Sequence, residues 1–132
     1  MEFRITTIIP ATAETIYKTW LNSEGHGNMT GGGASITDRV GDGFKAWDGY
    51  IQGKNIELEP NKRILQRWRT SQFREDEEDS QLEIMLQDIG GITELTLSHT
   101  HVPASGAHYI EGWENHYFRP MKAYFLKLKN KV

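Results

Sequence analysis

Hydrophobic and β-branched residues crowd positions 2–10, where Ile5, Thr6, Thr7, Ile8 and Ile9 predict a strand that ends at Pro10, a residue without an N–H for a sheet ladder. The period then changes. Thr12 stands as an N-cap, Glu14 falls in the first turn, and Ile16, Tyr17, Trp20 and Leu21 recur at helical spacing, which predicts a short helix with one apolar face. Ser23 to Asn28 could add another helical turn, but the five glycines at 25, 27, 31, 32 and 33 favour a flexible connector.

Beyond Ala34 short β-rich runs alternate with turn signals, the pattern of an antiparallel meander. Strands are predicted over 44–47, 50–59, 63–70, 81–87 and 92–102. The turns between them are Pro60-Asn61-Lys62, the acidic run Glu75-Asp76-Glu77-Glu78-Asp79 and Gly90-Gly91, with Arg39 to Gly43 as the turn that opens the meander. Side chains two apart on a strand share a face. Ile64, Gln66 and Trp68 are therefore assigned inward, opposite Arg67 and Arg69; Leu82, Ile84 and Leu86 inward on the next strand; and Leu95, Leu97, His99 and His101 inward on the last.

The final quarter reads as a helix. Ile110, Trp113, Tyr117, Met121, Tyr124 and Leu128 recur at intervals of three and four, with Phe118 and Phe125 widening the stripe. Pro120 interrupts the pattern, so a bend is predicted near residues 115–120. An antiparallel sheet with one apolar face needs a cover, and this helix is long enough to supply it. The expected architecture is α+β: a curved sheet wrapped around a bent C-terminal helix. Bulky aromatics facing such a sheet pack imperfectly at the mouth and leave an elongated apolar cavity.

Composition narrows the partners. Hydrophobic residues at 37% and aromatics at 11% are enough for a core over 132 residues, so one domain over 1–132 is expected. The net charge of −3 argues against nucleic acid or an anionic membrane as partner, because both need concentrated Lys and Arg. Cysteine is absent, which removes thiolate nucleophiles, thiolate metal sites and disulfides. No apolar block resembles a signal peptide or a membrane span, and a cytoplasmic monomer is expected.

Several segments resemble one family. Gly53-Lys54-Asn55-Ile56-Glu57-Leu58-Glu59-Pro60-Asn61-Lys62-Arg63-Ile64-Leu65-Gln66-Arg67-Trp68-Arg69 is similar to the strand-Pro-strand-Trp-Arg signature of the family named for the C-terminal domain of the activator of the ninety-kilodalton heat-shock protein's ATPase. Gly91 to His99 resembles its penultimate segment, Gly112 to Phe125 its C-terminal helix, and Ile9 to Trp20 its opening. The likeness runs nearly the whole chain in the right order. It implies a helix-grip fold of the START-like, birch-pollen-allergen-like superfamily, whose members carry lipids, hormones or polyketides, or act as cyclases or hydrolases. The family's activator binds and stimulates a chaperone, with an additional N-terminal domain for which this chain has no room.

Three functions compete. The first is binding of a hydrophobic small molecule or lipid, with Trp68, His99, Trp113, Tyr117 and Met121 lining the pocket and Gln66 or His101 as polar handles, set against the alternative that these side chains are ordinary core. The second is contact with a chaperone ATPase through the acidic run at 75–79 and the glycines at 31–33, set against solvated loops. The third is catalysis, with His99 and His101 sharing a metal with Glu57 or Glu111. No third ligand is marked by spacing, and no nucleophile elbow, phosphate loop or dinucleotide fingerprint occurs. His108 and His116 are expected on the helix surface. Ligand binding without catalytic residues, metal or cofactor is the expectation.

Overall fold

The computed structural model describes residues 1–130. Strand β1 (Phe3–Ile9) leads into helix α1 (Ala13–Trp20), where the Thr12 hydroxyl accepts from the Thr15 N–H at 3.2 Å and Lys18 pairs with Glu14 at 2.9 Å. Ala13, Ile16, Tyr17 and Trp20 form its buried face, as the spacing predicts. A second helix, α2 (Ser23–Thr30), occupies the segment that glycine content marks as a connector. Both of its ends are capped: the Asn22 side chain accepts from the Gly25 N–H at 2.8 Å, and Gly31 closes it in the left-handed region at φ 91°. Burial of His26, Met29 and Thr30 stabilises what propensity alone would leave open.

The sheet follows as β2 (Gly43–Ala46), β3 (Ile51–Glu59), β4 (Arg63–Thr70), β5 (Ser80–Ile89) and β6 (Ile92–Thr100). Its six strands are antiparallel in the order β1-β6-β5-β4-β3-β2, so the N-terminal strand returns to pair with the last, Phe3 opposite His99 and Ile9 opposite Thr93. Ile64, Gln66 and Trp68, then Leu82, Ile84 and Leu86, then Leu95, Leu97 and His99 are buried on the inner face. Alternation fails at His101. The strand ends at Thr100, His101 turns into the left-handed region at φ 56°, and its side chain is exposed instead of continuing the inward face.

After a short 3-10 turn at Ala104–Ala107, the C-terminal helix runs as α3 (His108–Trp113), a π-helical turn (Glu114–Phe118) and α4 (Arg119–Lys129). The proline's interruption takes this form: the Arg119 N–H reaches back five residues to the Glu114 carbonyl, and Pro120, which has no N–H to offer, sits at the start of α4. The wide turn inserts a residue into the apolar stripe. Tyr109, Trp113, Tyr117, Phe118, Met121 and Phe125 are the buried residues, while Ile110 and Leu128, assigned to the stripe by periodicity, are exposed. Sheet and helix thus enclose one core in a helix-grip arrangement. No helix among the described residues is long and apolar enough to cross a membrane.

Candidate functional site

Between the helix and the β2–β3–β4 side of the sheet the packing does not close. It leaves a half-open cavity of about 460 Å³. The C-terminal helix contributes Tyr109, Trp113 and Tyr117 from its buried stripe, with Glu111, Asn115 and His116 toward the rim. Strands β3 and β4 contribute Ile51 and Trp68, and the turn between β2 and β3 contributes Trp47 and Tyr50.

The rings form a connected wall. Trp68 meets Tyr109 at 5.1 Å between centroids with planes at 88°, and Trp113 at 5.5 Å and 39°; Trp113 meets Tyr117 at 4.7 Å. Two polar networks hold this wall from behind. In one, the Trp113 indole N–H donates to His99 Nδ1 at 3.1 Å, His99 Nε2 lies 2.8 Å from the Ser80 hydroxyl, and that hydroxyl donates to the Trp68 carbonyl at 2.7 Å. Because the serine proton is committed to a carbonyl, His99 must donate from Nε2 and accept at Nδ1, which makes it a neutral ring with both nitrogens bonded. Burial pushes its pKa down to about 3.

The second network supports Tyr117. His26 Nδ1 lies 2.8 Å from the Trp20 carbonyl and can only donate there, so its Nε2 accepts from the Tyr117 hydroxyl at 2.9 Å. Burial lowers the His26 pKa to about 4 and raises that of Tyr117. Tyr109 is tied in turn to the Thr70 hydroxyl, and burial, the larger effect, raises its pKa to about 12. Both histidines are therefore supports and not proton donors at neutral pH.

Trp47 closes one side. Residues 47, 48 and 49 all lie at positive φ, 50°, 58° and 92°, forming a tight turn latched to the glycine loop: the Asp48 N–H donates to the Gly33 carbonyl at 2.9 Å and the Asp48 carboxylate accepts from the Gly33 N–H at 3.2 Å. Gly32 lies against the Trp47 ring, so closely that a Cβ there would come within 2.5 Å of it. His116 stands edge-on to Trp47 at 5.5 Å. The indole N–H of Trp47 is buried with no hydrogen-bond partner among the described residues.

Of the residues that sequence reasoning assigns to a pocket, the structure puts Trp68, Trp113 and Tyr117 on the cavity wall. His99 stands one layer behind it. Met121 is fully buried further along the helix, and Gln66 donates its amide to the Asn55 side chain at 2.9 Å within the sheet. His101 lies outside on the surface. Trp47, Tyr50 and Tyr109 escape sequence reasoning, although Trp47-Asp48-Gly49-Tyr50, two aromatics flanking an Asp-Gly turn, is a signal for the first two; Glu111, considered only as a metal ligand, and His108 and His116, expected on the helix surface, are exposed residues at the cavity rim. His99 and His101 diverge, and among the described residues no three His, Cys, Asp or Glu side chains gather as a metal set. The acidic run is an ordered loop, because the Arg69 guanidinium donates to the Glu77 and Arg74 carbonyls and pairs with Asp79 at 2.9 Å.

Comparison with known proteins agrees with this architecture. The sequence model of the family described as activator of Hsp90 ATPase homolog 1-like protein matches residues 10–126. The chain is 26% identical over 119 residues to the activator of 90 kDa heat shock protein ATPase homolog 2 of Mus musculus, covering 89% of this chain and 36% of that one. It is 26% identical over 113 residues to homolog 1 of Homo sapiens, covering 85% and 33%. It therefore spans about a third of the length of these relatives. In three dimensions it is similar to the crystal structure of an HSP90 activator from Plasmodium falciparum, with a TM-score of 0.85 at 20% identity over 93% of this chain and 94% of that one.

Proposed function

Since the chain belongs to the activator of Hsp90 ATPase homolog 1-like family and has its sheet gripping a C-terminal helix, we propose that it binds a hydrophobic small molecule or lipid in the cavity between the two. One observation carries this reading: about 460 Å³ stays open within a wall of Trp and Tyr rings whose positions are held by buried hydrogen bonds behind them. Aromatic surface with a few rim polar groups is the usual makeup of a ligand pocket. His99 and His26, the buried bases behind the wall, have both nitrogens committed to hydrogen bonds and serve to hold the rings.

Native mass spectrometry of gently purified protein, followed by organic extraction, tests the proposal. A reproducible apolar adduct at one per chain is expected. Bare protein, both as isolated and after incubation with a total lipid extract, would overturn it.

A second reading rests on the family itself. Its named relatives are activators of a 90 kDa heat-shock ATPase, so this chain is proposed, as the alternative, to contact such a chaperone. Stimulation of the purified chaperone's ATPase by this protein is the expected result under that reading, and an unchanged rate counts against it.

A further inference from the structure

The charge and shape of the cavity wall discriminate between kinds of apolar ligand. Resting on the cavity-binding reading, we infer that the preferred occupant is an organic cation, an alkylated or aromatic ammonium, and not a neutral hydrocarbon or an anionic lipid. Among the described residues lining the cavity none is Lys or Arg, and the carboxylate is Glu111, exposed at the rim one residue before Gly112 and two before Trp113. The lysines at 122, 127 and 129 of the C-terminal helix lie outside the lining. An anionic headgroup entering this mouth would meet a carboxylate and no Lys or Arg, with His108 and His116 as the basic side chains on the lining.

The interior adds to the same preference. Aromatic faces carry negative potential, and a cation within about 6 Å of a ring centroid is attracted to it, most strongly by tryptophan. Trp47, Trp68 and Trp113 line one cavity, so a cation held there lies among three of the rings that attract it most. The net charge of −3 favours approach of a cation over the whole surface. The imidazoles of His108 and His116 on the lining are the features that favour an anion, so an anion of matching shape is the fair competitor.

Calorimetric titration with three probes of one shape separates these preferences: benzyltrimethylammonium, its neutral carbon isostere neopentylbenzene, and phenylmethanesulfonate. The cation is expected to bind about tenfold more tightly than the neutral isostere, although water solvates it better, and the anion weakest. Glu111→Gln, on an exposed side chain, is expected to weaken the cation about threefold and leave the neutral probe unchanged. Trp47→Leu is expected to weaken the cation about fivefold and the neutral probe less than twofold. A neutral probe that binds as tightly as the cation, or an anion that binds best, overturns the cation preference while leaving the cavity as a binding site. Failure of all three probes to bind counts against both.

Discussion

Trp113 is the residue on which site and stability meet. It is 2% exposed, lines the cavity, packs at a tilt against Tyr117 and donates to His99. Trp113→Ala is expected to cost roughly 3–5 kcal/mol in urea unfolding, the range for a buried Trp truncation. Trp113→Phe keeps most of the ring but leaves His99 Nδ1 buried without a donor, and should cost about 1–3 kcal/mol. Equal losses for the two variants would show that the hydrogen bond, and not the volume, dominates. Gly32 is the reciprocal case, because a Cβ there would come within 2.5 Å of the Trp47 ring. Gly32→Ala is expected to shift Trp47 and change its fluorescence with only a modest stability loss, about 1 kcal/mol. An unaltered Trp47 environment would contradict the close packing.

At the scale of elements, the sheet depends on an approach between β3 and β4 that only glycine permits. A Cβ on Gly53 would lie 1.9 Å from the Arg67 carbonyl oxygen and 2.7 Å from the Phe44 ring. Gly53→Ala is therefore expected to destabilise by about 3 kcal/mol or to prevent soluble expression, measured against wild type by thermal unfolding. A wild-type melting temperature would contradict the register. Strand faces were legible wherever alternation was unbroken: Ile64, Trp68, Leu82, Ile84, Leu95 and Leu97 are all buried as their spacing predicts. Helix α2 was not legible, because its glycines carry no helical signal and its stability comes from the Asn22 and Gly31 caps and from the two hydrogen bonds of buried His26. Nor was the widened turn at Glu114–Phe118, which puts both Tyr117 and Phe118 on the buried face; before it, Tyr109 is buried where periodicity assigns Ile110. The site shares this division. Trp68, Trp113 and Tyr117 follow from periodicity, whereas Trp47 and Tyr50 reach the cavity by a turn whose positive φ values no hydrophobic pattern encodes.

For the molecule as a whole, two buried neutral histidines couple the fold to pH. In the unfolded chain each titrates near 6.5, whereas in the folded protein His26 and His99 are held down to about 4 and about 3. Between those limits the unfolded state binds more protons, so stability is fully present above pH 6.5 and falls with pH until about 4 for the His26 share and about 3 for the His99 share. Two such groups together predict a loss of roughly 2 kcal/mol between pH 6 and pH 5. Urea unfolding at the two pH values measures it, and a flat profile would contradict the assignment of both rings as buried and neutral.

The same buried networks that make the fold acid-sensitive hydrogen-bond the rings of the aromatic wall, and the central proposal is that the space beside that wall takes a ligand. The most direct measurement is the ¹H–¹⁵N spectrum of the four tryptophan indoles during titration with neopentylbenzene. Trp47, Trp68 and Trp113, which line the cavity, are expected to shift saturably, and Trp20, which stacks behind on Tyr117 at 5.1 Å, to shift less. Indole signals that stay fixed at saturating probe would contradict the account.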